Sequence, residues 1–124
     1  MSDSRFPRRV FGEGQEPDAR FTLANERTFL AWVRTALALM AGAVAVQAPA
    51  VGLDAWVKHV VSLTLLGVAG VAIGQSWRRW RGVELAIRTG QPLPGFAGPA
   101  LIAGMLGVLI VAIAVGVIIV ATVR

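Results

Sequence analysis

Three arginines, Arg20, Arg27 and Arg34, recur at intervals of seven in the run RFTLANERTFLAWVRTA. At 100° per helical residue each lies only about 20° from the last, so a helix through this run carries all three on one stripe. Guanidinium groups grip phosphate oxygens in pairs and keep their charge at any physiological pH, so the chemistry this spacing suggests is anion binding. Glu26 lies beside the stripe, and Asn25, Thr28 and Thr35 place polar groups on other faces. Three readings fit. Arg34 snorkels while Arg27 and Arg20 bind lipid phosphate; or the stripe faces a cavity and presents its charges to an anion; or Glu26 pairs with an arginine within one subunit or across two.

A second basic cluster, Arg78, Arg79, Arg81 and Arg88, is interleaved with Trp77 and Trp80. It reads either as the basic flank that ends a membrane span or as an electrostatic collar that concentrates anions at an entrance. Glu84 and Arg88 are four apart, a local pair that supports a helix by about 0.3 kcal/mol. Nothing catalytic emerges. His59, the single histidine, stands next to Lys58 and five residues from Asp54, with no nucleophile-and-base arrangement. There is no phosphate loop, no paired intramembrane carboxylate and no metal-ligand spacing. The chain has no cysteine, which excludes disulfides, thiolate metal sites and cysteine nucleophiles. The expectation is a non-enzymatic protein without cofactor or metal. No nucleic-acid fold signature accompanies the charge, so nucleic acid is not an expected partner.

The elements that hold these residues follow from composition. The 124 residues are 56% hydrophobic and 15% charged, with mean hydropathy +0.67. One small core cannot hide so much apolar surface, which excludes an aqueous globular enzyme. Three stretches are long enough for the roughly 20 residues a spanning helix needs. They predict spans at about 28–50, 57–77 and 97–122, hence an all-α integral membrane protein with three transmembrane helices. Residues 1–18 mix charge with Gly and Pro and are expected to form a flexible cytoplasmic tail, leaving 19–124 as the transmembrane domain. Asp18 or Thr22 suits a helix cap. Pro49 and Gly52 suit the end of the first span and a tight turn around Val51 to Trp56. Trp77 to Thr89 continues the second helix until Gly90 closes it.

Ala48-Pro49-Ala50 has the small-x-small look of a signal cleavage site. A long leader with five acidic residues argues against it, so no cleavage is expected. With the N-terminus inside, ten arginines are cytoplasmic and only Lys58 and Arg124 are outside, a strong positive-inside bias. Small residues recur at helical spacing, Gly67, Gly70 and Gly74 in the second span and Gly104 and Gly107 in the third. Such stripes let helices approach closely in lipid. Packing within one subunit is the first reading, and oligomerisation would use the same stripes.

The run RFTLANERTFLAWVRTALALMAGAVAV, followed by RRWRGVELAIRTGQPLP and a third span, resembles the YidH-like bacterial inner-membrane family, with Asn25-Glu26-Arg27-Thr28-Phe29-Leu30 and Trp32 as its distinctive part. That family is an uncharacterised domain shared with the transmembrane part of the eukaryotic vacuolar transporter chaperone, a polyphosphate polymerase complex. The resemblance implies a multi-pass protein of the bacterial inner (plasma) membrane and a homo-oligomer, a pentameric ring, whose first helices line a path for polyphosphate. Arg27, then Arg34 and Arg20, would line that path, with Arg78 and Arg81 at its mouth and Glu26 pairing between helices. The chain lacks the polymerase and phosphate-sensing domains of the eukaryotic complex, so synthesis is not implied. The leading expectation is an anion-binding channel or transport-complex subunit for phosphate-like anions. The alternative is a structural module that binds partner proteins or anionic lipid headgroups.

Overall fold

Residues 4–95 and 98–123 are described by a computed structural model. They form four helices, α1 (Arg8–Phe11), α2 (Ala19–Val46), α3 (Ala55–Thr89) and α4 (Gly98–Val123), with no strand among the described residues. The predicted start of the third span at residue 97 and the charge on Arg124 lie outside the described residues. α2, α3 and α4 are each long and apolar enough to cross a bilayer, so the protein is an all-α, three-span membrane protein.

Asp18 starts α2, its Oδ1 accepting from the Arg20 backbone N–H at 2.9 Å, a cap worth about 1 kcal/mol. α2 ends at Val46, four residues before the sequence places the end of the first span. Pro49 disfavours the helical region for Ala48, and the end of α2 is tied to α3 instead. Lys58 Nζ donates to the Ala48 carbonyl at 3.0 Å, and Gln47 Nε2 donates to Ser62 Oγ at 2.8 Å. The connecting turn therefore runs through residues 47–54 rather than beginning at Val51. At its other end α3 closes on Gly90, whose φ of 67° is the left-handed cap that glycine adopts without strain.

α3 is the middle element. α2 packs along it through a seven-residue repeat, Thr22, Phe29, Ala36 and Ala43 alternating with Asn25, Trp32, Leu39 and Val46, all buried or half-buried. The matching seam on α3 is Ser62, Ala69, Ser76 and Val83 with Leu65, Ala72, Arg79 and Ala86, again all buried or half-buried. α4 adds Ile102 and Leu109, both buried, and the core joins Ile102 to Ala36, Val68, Ala69 and Ala72. Small Ala and Ser side chains dominate the α3 seam, so α2 comes close and hydrogen bonds cross between the helices; Ser62 Oγ donates to the Ala43 carbonyl at 2.7 Å.

The glycine stripes do not serve this packing. A Cβ placed on Gly67, Gly70, Gly74, Gly104 or Gly107 would meet nothing among the described residues within 4 Å. The reason is phase. Gly67 and Gly74 precede Ala69 and Ser76 by two residues, about 200° around the helix, and Gly104 follows Ile102 by two. The expected intramolecular role of these glycines is corrected: they lie outside the seams, on faces this chain leaves open.

Residues 4–17 are also not a free tail. α1 puts Val10 at 1% exposure against α3, and Gln15 N–H donates to the Arg88 carbonyl at 3.0 Å. Burying one such valine contributes about 1.5 kcal/mol or more, a local gain that the lack of sequence period conceals.

Candidate functional site

Most of the chemistry-bearing residues gather at the end of the bundle where α2 begins, and Arg34 lies deeper along it. Arg20, Arg27 and Arg34 are exposed along α2. Each stands two residues from a seam position (Thr22, Phe29 and Ala36), so the stripe lies about 200° from the face that packs on α3. Glu26 is exposed beside them and forms no ion pair among the described residues. Arg78 and Arg81 are exposed on α3. The structure thus puts the predicted anion-binding arginines on outer faces of the bundle.

Glu84 and Arg88 are drawn the other way. Their side chains are 0% and 2% exposed, and Arg88 Nε donates to Glu84 Oε1 at 3.3 Å. The sequence suggests a local pair that supports the helix; the structure makes that pair the centre of a buried network. Thr22 Oγ1 donates to Glu84 Oε1 at 3.1 Å. Asn25, itself 4% exposed, directs Nδ2 to the Trp80 carbonyl at 3.0 Å and to Glu84 Oε2 at 3.5 Å. Arg88 Nη1 reaches Glu16 Oε2 at 3.5 Å, and Arg5 donates to both Glu16 oxygens at 3.0 and 2.7 Å. The bidentate Arg5 contact, with the charges of Arg5 and Arg88 beside it, holds the Glu16 carboxyl below its ordinary range. A buried carboxylate survives only with such donors, because an unpaired one costs several kcal/mol.

Aromatic rings close the network. Trp77 and Trp80 stack at 5.3 Å between centroids, and Phe29 meets both at 6.4 Å. Phe11 lies 6.4 Å from Trp80, with Arg5 and Arg88 over its ring at 4.7 and 4.6 Å. Trp32 packs on the core, because it occupies a seam position. Trp56 is 69% exposed at the opposite end.

On the flank where α2, α3 and residues 90–95 meet, an open groove of about 480 Å3 is lined by Phe21, Ala24, Asn25, Thr28, Arg79, Val83, Ala86, Ile87, Gly90, Gln91 and Leu93. Arg79 is the basic residue that sequence reasoning passed over in favour of Arg78 and Arg81. Its signal was present: it continues the seven-residue series Leu65, Ala72 and Ala86 into the seam. Among the described residues no group of three His, Asp or Glu side chains could hold a metal ion.

Comparison with known proteins places this arrangement. Residues 20–86 match a family described as a domain of unknown function, DUF202, a segment that contains Arg20, Arg27, Arg34, Arg79 and Glu84. An uncharacterised protein of Mycobacterium tuberculosis is 40% identical over 99 residues, 78% of this chain and 81% of that protein. The inner membrane protein YidH of Escherichia coli strain K12 is 34% identical over 105 residues, 78% of this chain and 84% of that protein. No solved structure matches the chain.

Proposed function

The chain belongs to the DUF202 family and is a multi-pass protein of the inner membrane, and on that premise we propose that it is a non-enzymatic subunit of an anion path. Several copies associate through the open faces of their helices, and the α2 arginine stripes line the space between them. The basic end faces the cytoplasm, in keeping with the positive-inside bias. Phosphate-rich anions such as polyphosphate are the ligands, as the resemblance to the vacuolar transporter chaperone implies, and a ring of five is the assembly it implies.

The observation that carries this reading is Arg34. It is exposed on the face of α2 turned away from α3, twelve residues from the helix end at Val46. That is about 18 Å, which in a hydrocarbon core of about 30 Å leaves Arg34 about 12 Å inside the near boundary. A charge facing lipid there costs about 3 kcal/mol or more, a cost that a wet face between copies removes. The outward glycines fit the same picture, since they let a second copy approach.

The test is native mass spectrometry of the protein released from lipid nanodiscs, with and without short-chain polyphosphate, for the wild type and Arg27→Ala. A single closed oligomer that retains the anion, and loses it in the variant, is the expected result. A monomer or mixed ladder that ignores the anion overturns the reading. It would leave a structural module that organises partner proteins or anionic lipid.

A further inference from the structure

The groove beside Arg79 is distinct from the arginine stripe, which lies on another face of α2. Its volume of about 480 Å3 is in the range of small-ligand sites. Most of its lining is apolar, and Asn25, Thr28, Arg79 and Gln91 are its polar members.

Its depth follows from two cross-links. Ser62 Oγ donates to the Ala43 carbonyl, and Asn25 Nδ2 donates to the Trp80 carbonyl. On both helices these levels are eighteen residues apart, about 27 Å. From the end of α2 at Val46 to the level of Asn25 is about 32 Å, close to the thickness of a hydrocarbon core. The groove therefore opens where hydrocarbon gives way to lipid phosphate on the basic side.

We infer that this groove binds one anionic phospholipid with a hydroxylated headgroup, its phosphate on Arg79 and its acyl chains left to the surrounding bilayer. A guanidinium takes a phosphate through paired, charge-assisted hydrogen bonds. Basic pockets between membrane helices suit such headgroups. Arg78 and Arg81, exposed nearby on α3, disfavour a headgroup that brings an ammonium of its own. Asn25 adds a second, independent indication. Both partners of its Nδ2 are acceptors, the Trp80 carbonyl and Glu84, which fixes the orientation of the amide. Its Oδ1 is left with no hydrogen-bond partner among the described residues, in a side chain that is almost wholly buried in the groove wall. A headgroup hydroxyl supplies the missing donor. Phosphatidylglycerol has both the phosphate and the hydroxyls.

The experiment is native mass spectrometry of the full chain from nanodiscs of phosphatidylethanolamine containing a minor share of phosphatidylglycerol. One phosphatidylglycerol retained per chain is expected for the wild type, Arg78→Gln and Arg81→Gln. Retention falls about tenfold or more in Arg79→Gln, as the loss of one charge-assisted pair requires. Ala24→Trp fills the groove from an exposed position without changing a charge, and gives the same loss; it carries the test if Arg79→Gln fails to fold. The inference is overturned if Ala24→Trp retains the lipid as the wild type does. Equal losses in Arg78→Gln and Arg81→Gln overturn it by assigning retention to the basic collar as a whole. Equal retention of phosphatidylethanolamine, or displacement by soluble glycerol phosphate, overturns it by removing the lipid specificity.

Discussion

Arg88 Nε donates to Glu84 Oε1 across one turn of α3, at 3.3 Å, with both side chains shut away from solvent. The pair ties three parts of the chain together, since Thr22 and Asn25 reach it from α2 and Glu16 from the N-terminal segment.

Removing one half of such a pair strands the other. Glu84→Ala is expected to destabilise the protein by about 3–5 kcal/mol, measured as loss of helical signal on heating or denaturation in detergent. Replacing both partners by apolar residues, Glu84→Leu with Arg88→Met, recovers most of that loss. A single variant as stable as the wild type would show that the network does not hold the helices together.

The N-terminal segment passes so close to α3 that a Cβ on Gly14 would overlap the Arg88 carbonyl, and Gly14 also has φ of 67°. Gly14→Ala therefore detaches the segment, at a cost of about 1–3 kcal/mol. Trypsin cleavage after Arg8 and Arg9 accelerates severalfold while the membrane helices keep their thermal stability. Unchanged cleavage would mean that the segment is held elsewhere.

Glu16 makes the same contact dependent on pH. Its folded-state carboxyl titrates below the ordinary 4.5, through the hydrogen bonds from Arg5 first. A depressed carboxylate contributes its full stabilisation above the unfolded value and loses it as pH falls through the lowered folded value. Opening of the segment, read by amide hydrogen exchange corrected for its intrinsic pH dependence, is therefore expected to be flat at neutral pH and to rise only at pH below 4.5. In Glu16→Gln it is raised already at neutral pH and loses that acid-dependent rise.

Arg34→Cys in this cysteine-free chain reports the surroundings of the stripe. If α2 lines a wet path, a membrane-impermeant thiol reagent added at the basic end labels it at a rate within about tenfold of an exposed control such as Arg20→Cys. Labelling slower by several orders of magnitude puts the residue against lipid or protein and removes the path.

Gly70→Leu separates packing within the chain from packing between chains. A side chain at Gly70 meets open space in one subunit, so the thermal stability of the monomer changes by less than about 1 kcal/mol. The oligomer distribution in native mass spectrometry shifts towards smaller species. A variant that assembles like the wild type excludes this face from the assembly.

Much of the architecture is written into the chain itself. Three spans follow from length and hydropathy, because a helix of about 20 apolar residues crosses the bilayer with all its backbone groups satisfied internally. Asp18, Gly90 and the shared stripe of Arg20, Arg27 and Arg34 follow from local rules of capping and helical period. What period cannot give is phase relative to a partner. Gly67 and Gly74 share a face, and so do Ala69 and Ser76, and both pairs have the same spacing; only the packed structure shows that the second pair meets α2. The same holds for charge. Glu84 and Arg88 look like any solvated pair four residues apart, and Arg79 like one more basic flank residue. The burial of Glu84 and Arg88 depends on Thr22, Asn25 and Glu16, which arrive from 59 to 72 positions away in the sequence. Length, hydropathy and capping set the elements, and tertiary packing decided which faces they consume and which they leave to lipid, ligand or a second copy.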